Sequence, residues 1–327
     1  MKPYVQTVLN KKSVSEIGFS QCHEHLFIAA GKPSSLNKFL QINDYNLTKI
    51  EVEEFKKNGG TLLVDAQPLG CGRMEENLVR LSKQTGVDIV ASTGFHRLDF
   101  YEDNHWIFKF DETELADIFI SEAQDGMFVG TDQADPKIQL TARAGMIKTA
   151  VSPNGIEFRN EKMFRASAEA QRQTGLPIMI HMEKGVDPFQ VIQYFEERSV
   201  PLNALIICHL DRTHHDYYLH KEILATGVFV EYDTIGRFKY HDDTTEALLI
   251  ENMIEAGFVR QILLSLDTTQ ERLGTYGGSI GLSYLLKKFL PYLKERGCPD
   301  STIDILTVEN PKQALLIGKE IERKARK

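Results

Sequence analysis

Residues 161–181 read EKMFRASAEAQRQTGLPIMIH, and the order of their parts decides the fold. Residues 161–175 form a helix-like stretch that ends in Gly175, a residue that tolerates the left-handed position after a helix. Residues 176–181 are a short apolar, β-rich run that ends in His181. The same succession recurs along the chain. Apolar runs fall at 17–22 (IGFSQC), 61–66 (TLLVDA), 87–93 (VDIVAST), 144–149 (AGMIKT), 176–181, 204–209 (ALIICH), 227–232 (GVFVEY) and 261–266 (QILLSL). Helix-like stretches between them include 75–86 and 242–257. Nearly continuous apolar strands suit a parallel sheet covered on both faces. Eight strand–helix units, with no internal repeat, low-complexity segment or Pro/Gly-rich linker, predict an α/β protein. The architecture expected is a (β/α)8 TIM barrel, one domain over residues 1–327. A doubly wound open sheet is the alternative. It would carry a GxGxxG turn after an early strand, and none is present.

The bulk composition narrows the function. The chain has 327 residues, 42% of them hydrophobic, enough for a large core. A formal charge of −8 and a pI near 5.7 argue against a nucleic-acid or membrane-surface protein. Four cysteines, Cys22, Cys71, Cys208 and Cys298, are spread along the chain with no CxxC pair. They read as reduced, mostly buried thiols of a cytoplasmic protein. The start, MKPYVQTVLNKK, lacks the apolar core of a signal peptide, and no window reaches the roughly 18 apolar residues of a membrane span. The basic end, GKEIERKARK (318–327), reads as a solvated terminus.

In a barrel of this kind chemistry sits at the C-terminal ends of the strands. Reactive residues are placed there. His23 and His25 follow the first run, Lys148 ends the fourth, His181 the fifth and His209 the sixth, and Asp267 follows the eighth. In extended chain, side chains alternate faces, so His23 and His25 point one way and Glu24 the other. An HxH pair can place two imidazole nitrogens on one metal, and imidazole with carboxylate suits zinc and similar divalent ions. Lys148 lies inside an apolar strand, where burial beside a cation favours the neutral amine. Such an amine adds carbon dioxide to give a carbamate, whose two oxygens can bridge two metals. Taken singly, each residue has an ordinary role: a core histidine, a snorkelling lysine, an aspartate capping a helix. Their joint placement on five strands is what points to a site. His105, His214, His215, His220 and His241 fall in loops or helices and read as mostly surface residues.

With these pieces in order, the sequence resembles the phosphotriesterase-related family of the amidohydrolase superfamily. The matching segments are GFSQCHEH (18–25), TLLVDA (61–66) with GRMEENLVRL (72–81), STGFH (92–96), RAGMIKTA (143–150), PIMIH (177–181), CHLD (208–211) and ILLSLD (262–267). The resemblance implies a hydrolase with a binuclear centre. His23, His25 and Asp267 match the ligands of the more buried metal, His181 and His209 those of the more exposed one. Lys148 matches the carboxylated lysine that bridges them. Zinc is the default ion, with manganese or cobalt suited to the same ligands. A bridging hydroxide is then the nucleophile and Asp267, as catalytic residue, shuttles its proton to the leaving group. Asp211 is either an acidic partner behind His209 or a loop cap.

The loops address the substrate. Those after the seventh and eighth runs, DTIGRFKYHDD (233–243) and TTQERLGTYGG (268–278), are polar. Barrels often hold phosphate at these two loops. Lys239 and Arg272, with Tyr276, resemble the phosphate-binding residues of the family's lactonases acting on phosphorylated sugar lactones. The expected substrate is a small anionic or polar molecule, a sugar-acid 1,4-lactone bearing a phosphate. His96 and Arg97, in the loop after the third run, are placed to steady the carbonyl or ring hydroxyls. A phosphotriesterase, a phosphoesterase or another amidohydrolase-type activity on the same centre is the alternative. A homo-oligomer is left open.

Overall fold

A computed structural model describes residues 3–317 of the chain. Met1, Lys2 and the basic end at 318–327 lie outside the described residues. A short antiparallel hairpin, β1 (Tyr4–Gln6) and β2 (Lys11–Ser13), opens the chain. Eight barrel strands follow: β3 (Ser20–Glu24), β4 (Leu62–Asp65), β5 (Asp88–Gly94), β6 (Met146–Ala150), β7 (Ile178–His181), β8 (Leu205–Ile207), β9 (Phe229–Tyr232) and β10 (Ile262–Leu264). Each overlaps one of the eight apolar runs. They pair in parallel in strict chain order from β3 to β10. The ring closes between its ends. Asp267 N donates to His23 O at 3.0 Å, and the Ser265 hydroxyl accepts from Cys22 N at 2.8 Å and His23 N at 2.9 Å. The fold is therefore the (β/α)8 barrel and not the open sheet.

Helices between the strands include Tyr45–Lys57, Glu75–Thr85, Glu112–Gln124, Phe158–Thr174, Pro188–Glu197, Tyr217–Ala225 and Asp243–Glu255. Phe158–Thr174 shows how they are made. Its alanines and long side chains favour helix, and Gly175 terminates it at φ 73°. It buries Met163, Phe164, Ala166, Ser167, Ala168 and Ala170, which face the outward residues of the strands.

Strand residues divide by the period of two. Met146, Met179, Ile206, Phe229 and Leu263 meet inside the barrel with Cys22, Val64 and Cys208. Their neighbours Ile147, Ile178, Ile180, Leu205, Ile207 and Ile262 join the layer beneath the helices. Ile178 and Ile180 are fully buried, and each such side chain contributes roughly 1.5–3 kcal/mol. The hairpin covers the end opposite the reactive residues. Tyr4 pairs with Ile317, and Val5 and Ile17 pack with Ala314 and Leu315 under the inner core.

At Gly94 the backbone has φ +91°, and an added Cβ would stand 2.1 Å from the carbonyl oxygen of Lys148. Only glycine lets the end of β5 lie this close to β6. The four cysteines are free, three of them buried. No helix of the described residues is long and apolar enough to cross a membrane.

The histidines outside the strand ends are not all on the surface as expected. His215 is exposed and His214 half-buried, but His105, His220 and His241 are buried. The reason is local. His105 caps the helix Trp106–Lys109 and reaches Thr131 O at 3.0 Å. His220 sits on the inner face of Tyr217–Ala225 and meets the Tyr232 hydroxyl at 2.9 Å.

Candidate metal centre

Six strand-end residues converge at the barrel mouth. His23 is the fourth residue of β3 and His25 follows that strand; Lys148 lies within β6, His181 ends β7, and His209 and Asp267 follow β8 and β10. His23, His25, Lys148, His209 and Asp267 are all buried, Lys148 completely. One donor atom from each of His23, His25 and Asp267 lies within 4.8 Å of the others. His25 Nε2 is 3.4 Å and His23 Nε2 3.8 Å from Asp267 Oδ1. His23 Nε2 is also 3.3 Å from Lys148 Nζ. His209 Nε2 faces His181 Nδ1 at 2.8 Å, the rings crossing at 79°.

His209 and Asp267 have positive φ, 63° and 47°. Neither is glycine, so both carry backbone strain, of the kind that collects at functional sites. Glu24 points away from the centre, as alternation requires. Its carboxylate accepts from Leu266 N at 3.0 Å, Thr268 N at 3.2 Å and Thr268 Oγ1 at 2.7 Å. Burial nevertheless pushes it up to about 7.

The donors suit divalent ions. Burial lowers the basicity of His25 and His209 and takes His181 down to about 4, so these imidazoles are neutral, the form that ligates. Burial raises the Asp267 carboxyl, but Arg237 at 2.5 Å and the His25 hydrogen bond outweigh it and hold it well below the usual range. Lys148 makes no ion pair among the described residues; its Nζ meets only His23 and the Met179 sulfur at 3.3 Å. A buried amine with no acid beside it is chemically suited to carbamate formation.

The carboxylates behind the imidazoles were not read from the sequence. Asp233 Oδ1 takes His209 Nδ1 at 2.7 Å and its Oδ2 lies 3.2 Å from His23 Nδ1. Glu231 Oε2 is 3.1 Å from the same His23 nitrogen. Such partners fix the orientation of ligating histidines. Asp211 is therefore not the acid behind His209; it accepts from Thr234 N at 2.6 Å. The signal was available, since Glu231 and Asp233 sit at alternate positions at the end of the seventh run.

The residues expected to hold substrate divide. His96 is buried, its ring 5.3 Å from that of His181. Arg97 reaches Glu183 at 3.0 Å, and Glu183 in turn meets His181 Nε2 at 3.2 Å. Lys239 is exposed on the loop after β9. Arg272 is turned inward and donates to the carbonyls of Leu266, Asp267 and Ile235. The Tyr276 hydroxyl meets Thr48 at 2.9 Å and Asp44 O at 2.8 Å. The structure thus separates Arg272 and Tyr276 from Lys239, because polar backbone left by the irregular loop needs donors. Arg212 and Arg237 face Asp267 instead, at 3.6 and 2.5 Å, and each has a buried Nε without a partner.

Comparison with known proteins agrees with this geometry. A sequence model described as the phosphotriesterase family matches residues 3–315. A phospho-furanose lactonase of Mycoplasmopsis synoviae is 30% identical over 324 residues, 95% of this chain and 91% of its own. An N-acetyltaurine hydrolase of Dictyostelium discoideum is 30% identical over 292 residues, 86% of this chain and 75% of its own. The crystal structure of a lactonase from Listeria monocytogenes superposes with a TM-score of 0.87 at 26% identity, covering 97% of this chain and 100% of that one.

Proposed function

The chain belongs to the phosphotriesterase family and is a metal-dependent hydrolase, and from that premise we propose that it opens a sugar-acid 1,4-lactone bearing a phosphate. The observation that carries the reading is the set of inward-facing donors of His23, His25, His181, His209 and Asp267 around the unpaired amine of Lys148. His23, His25 and Asp267 would hold one divalent ion and His181 and His209 a second, with carboxylated Lys148 between them; zinc suits the donors. Bound, the pair supplies an activated water at neutral pH and polarises the carbonyl.

The chain's own residues do the rest. Asp267, ionised because Arg237 holds it so, receives the proton of the attacking water at a carboxylate oxygen. It returns that proton to the ring oxygen, which stays tethered to the product and needs it. Asp233 and Glu231 keep the His23 and His209 nitrogens aimed inward. His96, neutral through burial, borders His181 and donates to or accepts from ring hydroxyls. Lys239 and Arg97 at the rim supply positive charge for the phosphate, while Arg272 and Tyr276 support the loop that carries Asp267. Free thiols fit a reducing compartment, the cytoplasm.

The test is a substrate panel with metal-loaded enzyme. A phosphorylated furanose 1,4-lactone should exceed its unphosphorylated form and a neutral organophosphate triester by at least about 100-fold in kcat/KM. Equal or faster turnover of the triester defeats the proposal. An amide with an anionic tail is the second reading, favoured by the likeness to the N-acetyltaurine hydrolase. Faster cleavage of N-acetyltaurine than of the lactone would establish it instead.

A further inference from the structure

A second group of ligating side chains lies outside the centre just described. Asp211 in the turn Leu210–Thr213, His241 in the loop after β9 and Glu246 in the first turn of Asp243–Glu255 each offer a donor atom within 4.8 Å of the other two. Asp211 and Glu246 are 0% exposed and His241 9%. Burying two carboxylates together is costly unless something of opposite charge joins them. The protein's own hydrogen bonds leave that demand unmet. Asp211 Oδ2 accepts from Thr234 N at 2.6 Å, and Glu246 Oε2 meets His241 Nε2. Asp211 Oδ1, Glu246 Oε1 and His241 Nδ1 are all buried without a partner among the described residues. No lysine or arginine among those residues forms an ion pair with either acid; the sole ionic contact is the one with His241. The ring of His214 lies 4.8 Å from that of His241, and its Nδ1 is likewise buried and unpartnered.

We propose that Asp211, His241 and Glu246 form a site for one divalent cation of the zinc class, distinct from the centre at the barrel mouth. One imidazole and two carboxylates are a donor set that zinc accepts, with His214 at hand as a fourth. The ion would supply the charge that the two acids lack. It would also join three segments: the turn that follows His209, the loop that follows Asp233 and the helix beyond it. Bound there, it would brace the turn that follows His209, since Asp211 lies in that turn and already accepts from Thr234 N, next to Asp233. The proposal stands whether or not the mouth acts on a lactone.

The experiment uses the full-length protein, stripped by chelation and reloaded with Zn2+, then crystallised for anomalous difference maps above and below the zinc edge. A peak enclosed by Asp211, His241 and Glu246 is expected. Elemental analysis should find one zinc fewer per chain in both Glu246→Gln and His241→Ala, with the mouth peaks unchanged. His241→Ala, at a slightly exposed position, serves if Glu246→Gln does not fold. Absence of a peak at the cluster at saturating zinc, whether or not the mouth is occupied, overturns the site and leaves two acids sharing a proton. A peak there with an empty mouth supports this site and counts against the binuclear centre.

Discussion

At the scale of single residues, the proposed centre would depend on the groups that orient its ligands as much as on the ligands themselves. Asp233 touches both His23 and His209, so Asp233→Asn disturbs two imidazoles at once. Its affinity for zinc should fall by about 10- to 100-fold, read by competition with a chromogenic chelator; unchanged affinity would deny it that role. Lys148→Ala should lose metal and activity together, with kcat/KM down at least about 100-fold, and full activity in that variant contradicts the bridge. The six strand-end residues were readable in the sequence because each closes an apolar run. Asp233 and Glu231 carried only a weaker mark, their alternate positions at the end of the seventh run; what identifies them is a contact with His23, about 210 positions away in the chain and adjacent only once the ring closes. Arg272 shows the converse: its residue type and loop suggested an anion site, but side-chain direction is set by unfilled carbonyls that a sequence does not display.

Among the elements, the contact of β5 with β6 and the helix Tyr217–Ala225 make separate, measurable demands. Gly94→Ala adds a Cβ at 2.1 Å from Lys148 O on a backbone at φ +91°. It should cost more than about 1 kcal/mol and lower metal content by displacing β6; a thermal melt superposable on wild type would refute this. In the helix, burial lowers His220 from 6.5 to about 4. Because the folded value lies below the unfolded one, its stabilisation is present above about pH 6.5 and lost as pH falls through about 4. The amount is about 3 kcal/mol. The difference in unfolding free energy between wild type and His220→Gln, measured metal-free by urea titration from pH 7.5 to 3.5, should shrink by about that much on acidification. A pH-independent difference would show that His220 titrates normally. Its burial escaped the sequence reading because YYLHKEILA does not show which face of the helix is turned inward, and the inward face is the one that carries His220.

For the whole molecule, ring order and strand positions were readable from periodicity, since eight apolar runs of similar length admit few arrangements in one chain. The loops were less so: their course is set by contacts between elements distant in sequence, such as Arg97 with Glu183. Removing metal should loosen the entire barrel if the proposed ligands on β3, β6, β7 and the loops after β8 and β10 share it. Chelation should lower unfolding free energy by at least about 4 kcal/mol, the value for one site, relative to protein held at a thousandfold excess of zinc over Kd, measured by calorimetry; identical melts would mean the donors bind nothing. The division of strand residues between inner core and helix layer also limits how such a chain can change its length. Deleting Met179 from within β7 would turn Ile180 to the inner face and drive the His181 imidazole beneath the helices. Insertions and deletions are thus confined to the connecting loops, and descendants of this barrel can lengthen or trade their rims freely while their strands change only by substitution.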